Sequence, residues 1–197
     1  MNTIVIAQNE QDQEQAIDVH VKLLDSRIII ISDFIDDKVA TEVVASLLMK
    51  DIESNDEITI FINSDGGFIR SIFCIYDTMK LLSSPIKTVC AGAVMDEALL
   101  LLVAGNKRYI TKNSIIVGSH LVTKGSSLGS FSDAKIIMEL VKKDNEKFIK
   151  ELANCINKPY KTVFKDFLNK KIFKAEEAVK YGLVTSIARS EKVNNEE

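Results

Sequence analysis

Two glycine-containing junctions carry the residue types that could do chemistry. The first, Asn63-Ser64-Asp65-Gly66-Gly67, follows an apolar run and opens a helical pattern. Because glycine leaves backbone N–H groups free to point at an anion, Gly66 and Gly67 are candidate donors to an oxyanion or to a bound peptide. The second junction, Gly92 to Glu97, leads from a strand pattern directly into an apolar helix. A side chain at that helix end suits a nucleophile, and Asp96 is the residue there.

The acidic pair Asp96 and Glu97 has several interpretations. Asp96 is a favourable cap or first-turn residue of a helix, and Glu97 adds to the same electrostatic effect. The two carboxyl groups could instead serve as acid and base, or join His120 as metal ligands. Their spacing matches no known ligand pattern, so we predict no metal site and no cofactor. The other histidine, His20, is expected on the surface.

The order of apolar patterns around these junctions predicts an α/β fold. Strand followed by helix occurs three times before residue 105, which favours a parallel or mixed sheet with helical crossovers. The run Arg27–Ile31 has no polar alternation and predicts a strand buried on both faces. The predicted strands span 27–31, 57–63, 86–91, 109–110 and 115–117, and the predicted helices span 37–52, 67–82, 96–103, 132–157, 160–169 and 175–181. The first helix, capped by Asp36 or Asp37, has core-spaced apolar positions at Val39, Val43, Val44, Leu47, Leu48 and Ile52.

Length and composition are those of one globular domain. The chain has 197 residues, 46% hydrophobic and 27% charged, with a net charge of −3, so neither nucleic acid nor membrane is an expected partner. Cys74, Cys90 and Cys155 have apolar neighbours and are predicted to be buried thiols of a cytoplasmic protein. The N-terminus lacks a signal-peptide pattern, and no apolar run is long enough to span a membrane.

Polar and glycine-rich stretches predict the less ordered parts of the chain. We expect a mobile N-terminal segment over residues 1–15, a single domain over 16–190 and a disordered tail over 191–197. Residues 122–131, rich in Gly, Ser and Thr, predict an exposed extended arm before the longest helix.

Taken in order, several segments resemble the proteolytic subunit of the ATP-dependent Clp protease. They are Leu23-Leu24-Asp25-Ser26-Arg27-Ile28-Ile29, Ile62-Asn63-Ser64-Asp65-Gly66-Gly67, Ile75-Tyr76-Asp77-Thr78-Met79 and the run from Glu177 to Leu183. The segment that contains Gly66 and Gly67 resembles that family's Ile-Asn-Ser-Pro-Gly-Gly loop, with Asp65 replacing proline. The run that ends at Leu183 resembles its Glu-Ala-x-x-Tyr-Gly-Leu signature. The resemblance covers about residues 16–188 and implies a Clp protease- or crotonase-type spiral of βαβ units with a long handle helix.

That family uses a Ser-His-Asp triad, and the resemblance indicates which residues stand at the three positions here. The family's serine lies in a Gly-x-Ala-Ala-Ser-Met-Gly segment, and Asp96 stands at its place. Its histidine follows an Asn-Ser pair by five residues, which gives Ser119, with His120 one residue late. Its aspartate precedes the alanine of the late signature by eight residues, which gives Lys170, with Asp166 about one helical turn earlier. The oxyanion and peptide-binding positions are Gly66, Gly67 and Glu97.

Each substituted position has a structural and a functional interpretation. His120 is either a partly exposed strand residue or a displaced triad histidine, because a shift of one residue on a strand turns a side chain to the opposite face unless a bulge restores it. Lys170 is either a solvated lysine or an ion-pair partner of Asp96. Asp166 is expected to be an exposed helix residue, an ion-pair partner or a substitute acid. Ser119 as a shifted nucleophile is disfavoured, since no helix N-terminus stands behind it.

The resemblance implies stacked heptameric rings joined through the helix over 132–157, an AAA+ unfoldase on the outer face and unfolded polypeptide as substrate. We expect a non-catalytic subunit of a homomeric or mixed ring, acting in ring assembly or unfoldase docking. Two alternatives stay open: an active ATP-dependent serine endopeptidase with a rearranged site, and an acyl-CoA hydratase or isomerase using Asp96 and Glu97.

Overall fold

The structure, a computed structural model, describes the backbone of residues 4–8, 14–121 and 131–189 and the side chains of residues 18–121 and 135–189. Its strands are β1 (Ile4–Gln8), β2 (Glu14–Asp18), β3 (Ile28–Ser32), β4 (Ile58–Ser64), β5 (Ile86–Met95), β6 (Lys107–Ile110), β7 (Ile115–Gly118), β8 (Lys171–Lys174) and β9 (Ser186–Ile187). Its helices are α1 (Val19–Asp25), α2 (Asp37–Glu53), α3 (Ile69–Leu81), α4 (Leu99–Ala104), α5 (Phe131–Cys155), α6 (Tyr160–Phe167) and α7 (Ala175–Tyr181). One turn of 3-10 helix, Asp96–Ala98, connects β5 to α4.

A parallel sheet organises these elements. Its strand order is β3-β4-β5-β6-β9, and β7 pairs in parallel with the second half of β5. Helices α2 and α3 connect β3 to β4 and β4 to β5, as parallel pairing requires. Strand β8 adds to β7 in the antiparallel direction. The expected α/β class with βαβ units and one long helix is therefore confirmed.

The core lies between the sheet and its helices. Alternate isoleucines of β4, Ile58, Ile60 and Ile62, are fully buried, and every residue of α4 is buried as well. Burial removes a fully apolar helix from water and stabilises the fold by about 25 cal/mol for each Å² of apolar surface. Because α4 begins directly after the 3-10 turn, this packing also fixes the junction that follows β5.

Several predicted core residues lie at the surface. Ile30 is 41% exposed because side chains along β3 alternate between a packed face and an open face, so the prediction of burial on both faces is wrong. In α2, Val43 and Leu47 face the core, whereas Leu48 and Ile52 are 46% and 86% exposed. The helical periodicity of apolar residues predicted a core-facing side that continues to Ile52, but the sheet covers only part of that side.

The termini and the cysteines also differ from expectation. Strands β1 and β2 pair antiparallel where no element was predicted, while mobility over 1–15 stays a prediction. The expected arm over 122–131, apart from Phe131, and the tail over 191–197 lie outside the described residues. Cys90 is buried, and burial raises its pKa to about 12, but Cys74 is exposed and Cys155 half-buried, so the prediction of three buried thiols is wrong. In the described part of the chain, no helix is both long and apolar enough to cross a membrane.

Strand β5 changes its neighbour halfway along. Residues 87–90 pair with β6, whereas residues 93–95 pair with β7. Against β4 the register shifts at the same place, since Ile62 lies opposite Cys90 but Ser64 lies opposite Val94. The strand therefore carries a bulge, which redirects its second half toward a different set of partners.

Gly92 lies in this bulge and its φ angle of +113° is one that glycine adopts without strain. Two side chains hold the bulged backbone. The Gly92 N–H donates to Ser114 Oγ at 2.7 Å, and the Ala93 N–H donates to Asn63 Oδ1 at 2.9 Å. A Cβ on Gly92 would collide with the Asn63 amide. The path of β5 toward the second junction thus depends on a glycine at this position.

We expect Gly92→Ala to lower the free energy of unfolding by about 1–3 kcal/mol, because the new side chain must hold a positive φ and displace Asn63. Urea denaturation followed by circular dichroism measures the change. In an Asn63→Ala background the collision is absent while the positive φ remains, so Gly92→Ala should cost less there. An equal cost in both backgrounds would contradict the steric part of this explanation.

Candidate functional site

Strand register brings the three predicted triad positions to one place. β5 runs parallel to β7, and the two strands end at the same edge just before Asp96 and Ser119. β8 runs antiparallel to β7 and begins at this edge directly after Lys170. β4 lies on the other side of β5 and ends beside it, so the Gly66-Gly67 loop reaches the same edge. Four separate stretches of sequence therefore meet here.

Asp96 is the centre of a cluster of polar side chains. Ser119 Oγ donates to Asp96 Oδ1 at 2.7 Å, and Lys170 Nζ lies 3.4 Å from Asp96 Oδ2. Ser119 is buried and the Asp96 side chain is 20% exposed, whereas the Lys170 side chain is 65% exposed. The ion pair, one of the two interpretations of Lys170, is present in the structure. The hydroxyl and the ammonium together satisfy both carboxylate oxygens.

The backbone at Asp96 has the shape of a sharp turn between strand and helix. Its φ is +49°, in the left-handed region that aspartate tolerates better than most residues. Asp96 is not the cap of this turn, because the cap position is Met95 and no side chain caps it, but Asp96 and Glu97 do lie in the first turn of the 3-10 helix, as the other interpretation predicted. The Asp96 carboxylate instead reaches across to the strands beside it.

His120 and Asp166, the alternative triad residues, are engaged elsewhere. His120 Nε2 donates to the Phe164 carbonyl at 2.9 Å, its Nδ1 lies 3.4 Å from the Asn145 amide, and its ring packs against Phe164. Asp166 accepts a hydrogen bond from the Tyr181 hydroxyl at 2.7 Å. Burial, followed by this bond, raises the pKa of Tyr181. Within the described part of the chain, the partners of Asp96 are therefore Ser119 and Lys170, and not these two residues.

The glycine loop faces a carboxylate from the same chain. Glu97, the residue after Asp96, places Oε2 3.4 Å from the Gly67 backbone nitrogen. Gly66 has a φ of +114° and is buried beneath this side chain. Gly66, Gly67 and Glu97, the residues predicted for the oxyanion and peptide-binding positions, therefore lie together. The Glu97 carboxylate lies beside the Gly67 amide.

Sequence reasoning missed the residues that hold the site from outside. Asn63 and Ser114 fix the bulge of β5, and Asn145 of α5 accepts from the Leu121 N–H at 3.0 Å. Asn63 begins the Asn-Ser-Asp-Gly-Gly motif and Ser114 belongs to the Asn-Ser pair from which Ser119 was counted, so both motifs were signals, although neither showed that these side chains hold β5. In the described residues, no group of three or more His, Cys, Asp or Glu side chains is arranged to hold a metal ion. The side chain directly after β5 is therefore the carboxylate of Asp96, paired with Ser119 and Lys170, and not a free hydroxyl.

The two partners of Asp96 should contribute unequally to stability. Ser119→Ala is expected to lower the free energy of unfolding by about 1–3 kcal/mol, because a hydrogen bond from a buried hydroxyl to a charged group is lost. Lys170→Met is expected to cost less than about 1 kcal/mol, because its ammonium is exposed and screened by solvent. Urea denaturation of both variants tests this, and a larger loss for Lys170→Met would contradict it.

A family model and several similar proteins assign this chain to the same family. The family model described as Clp protease matches residues 10–191. The ATP-dependent Clp protease proteolytic subunit 1 of Tropheryma whipplei (strain Twist) is 36% identical over 181 residues, 89% of this chain and 86% of the relative. Proteolytic subunit 2 of Frankia casuarinae is 35% identical over 182 residues, 91% of this chain and 83% of the relative. This chain, with its parallel sheet, long helix and glycine loop, belongs to the Clp protease family.

Proposed function

We propose that this protein is a non-catalytic subunit of a Clp-type peptidase complex, which acts in ring assembly or in docking of an AAA+ unfoldase. One observation carries the proposal. Asp96 occupies the end of β5, where the family's serine would stand, and its carboxylate is bound by Ser119 and Lys170. The positions that would form a triad form a charge-balanced cluster in its place.

The chemistry of Asp96 argues against its use as a peptidase nucleophile. A carboxylate attacking an amide would form an anhydride, which is an unfavourable intermediate for peptide hydrolysis. Its charge also opposes a developing oxyanion, since two unit charges ~4 Å apart repel by about 4 kcal/mol at an effective dielectric near 20. A barrier raised by that amount slows a reaction by about a thousandfold. His120, bound to Phe164 and Asn145, is not available to serve as a base for Ser119 without rearrangement.

Exposed apolar residues of α5 support assembly through this helix. Ile136 and Leu140, one helical turn apart on one face of α5, are 65% and 46% exposed, while Phe148 and Ile149 further along the helix are fully buried. A cluster of exposed apolar side chains is a common mark of a protein interface. In the proposed assembly these residues join two heptameric rings, as the family resemblance implies, in a homomeric ring or together with an active paralogue.

A second apolar surface lies on α2. Leu48, Met49 and Ile52 are all more than two-fifths exposed and occupy neighbouring positions on one side of the helix. This surface supports the docking of a partner subunit or of the unfoldase that delivers unfolded polypeptide. We place the complex in the cytoplasm, as expected from the sequence.

A serine-directed fluorophosphonate probe tests the absence of a nucleophile. We expect no covalent labelling of the purified full-length chain, because no activated serine lies at the end of β5. An active serine peptidase, treated in parallel, shows that the probe is competent. Labelling of the wild-type chain would contradict the proposal and favour a rearranged peptidase site. Turnover of acyl-CoA substrates by an unlabelled chain would favour the hydratase or isomerase alternative.

Charged substitutions on α5 test its part in assembly. Ile136→Lys combined with Leu140→Lys should shift the complex toward smaller species, because two lysines would then be buried in the interface between rings. Size-exclusion chromatography with light scattering measures the mass. Lys142→Glu, a charge change at an exposed position on the opposite side of the same helix, serves as the matched control. Unchanged mass for the double variant would contradict the assigned interface, and a pull-down from the native host identifies the partner subunits.

A further inference from the structure

The amides of the glycine loop have distinct partners. The Gly66 N–H donates to Ser64 Oγ at 3.2 Å, and the Phe68 N–H donates to the Ile35 carbonyl at 2.9 Å. The Ile35 N–H in turn donates to the Gly66 carbonyl at 3.0 Å, which closes a short parallel bridge. These bonds hold the loop in one conformation. The Gly67 amide, which lies between the other two, finds its partner outside the loop.

That partner is the Glu97 carboxylate. Its Oε2 lies 3.4 Å from the Gly67 nitrogen, and a Cβ built on Gly66 would come within 2.5 Å of the same oxygen. The Glu97 backbone nitrogen would lie 3.6 Å from that Cβ. The carboxylate therefore rests on the Gly66-Gly67 peptide, next to the backbone amide that follows Asp96. This is the place where two N–H groups would receive an oxyanion in a hydrolase of this geometry.

We propose that the Glu97 carboxylate is a built-in ligand of the Gly67 amide, which closes this anion-binding site to carboxylates and oxyanions from outside the chain. Glu97 blocks the anion-binding site, whereas Asp96 stands where the family resemblance places a serine. The two effects are separate, because they depend on different residues. Substitution of Glu97 by a neutral residue opens the site to a small carboxylate. The inference rests on the proposed non-catalytic function and deepens it, because it concerns the anion-binding site as well as the position of the nucleophile.

The first test uses a restored triad with and without Glu97. In the background Asp96→Ser, Ser119→His and Lys170→Asp, a fluorophosphonate would bond its phosphorus to the introduced serine oxygen and release fluoride, while the introduced imidazole takes the hydroxyl proton. We expect Glu97→Met to raise the labelling rate by about a hundredfold, the effect associated with an oxyanion-hole donor. Glu97→Gln, which removes the charge but keeps the shape, should give an intermediate rate. Equal rates with and without Glu97 would overturn the inference.

The second test does not require a restored catalytic triad. Gly67 is the only glycine of this sequence that follows another glycine, so labelling with 13C-carbonyl, 15N-glycine leaves its amide as the single carbonyl-coupled signal. In Glu97→Ala, acetate should shift this resonance in a saturable way, whereas the wild-type resonance should not respond over the same concentrations. Identical responses in the two proteins, or no response in either, would overturn the inference.

The two proposals fail in different ways. Labelling of the wild-type chain by the fluorophosphonate would contradict the non-catalytic function whatever the acetate titration shows. If the restored background labels in neither form, for instance because it folds poorly by circular dichroism, the acetate titration of Glu97→Ala decides alone. A wild-type chain that stays unlabelled, but whose Gly67 amide responds to acetate as the variant does, would retain the proposed function and remove the closed anion site.

Discussion

The bulge in β5 is the constraint on which the site depends. Because Gly92 permits the strand to leave β6 and join β7, the end of β5 comes to lie beside the stretches that supply Ser119 and Lys170. Because β5 keeps its pairing with β4 across the bulge, the same end also stays next to the glycine loop. The bulge also sets which residues of β5 reach the edge that these four stretches share, because it shifts the register of β5 against β4.

The junction after β5 is a sharp turn from strand to helix, and the side chain at this turn is the carboxylate of Asp96. A left-handed φ is costly for most residues, but a short polar side chain such as aspartate tolerates it. Asp96 with its φ of +49° therefore fits a turn that would strain a β-branched residue. The sharp turn leads directly into the buried start of α4, so the path of the backbone here is held by the packing of that helix.

The grouping of Asp96, Ser119 and Lys170 could be predicted from the sequence, whereas the exposure of several apolar residues could not. Counting from motifs placed Asp96, Ser119 and Lys170 at corresponding positions, because each lies at a fixed distance from a motif in the same element or turn. The contacts themselves could not be read from the sequence, since β8, the strand that brings Lys170 to the edge, was not recognised as a strand. The exposure of Ile52 was missed for another reason, because helical periodicity does not say how far the neighbouring sheet extends.

Two consecutive carboxylates at one site would normally repel each other, and here the turn separates them. Asp96 points toward the hydroxyl and ammonium groups of Ser119 and Lys170, whereas Glu97 points toward the amide of Gly67. Active sites commonly hold strained or unpaired polar groups at a cost to stability. In this site each of the two carboxylates has its own donor, so the polar groups add to the stability of the edge where four stretches of chain meet.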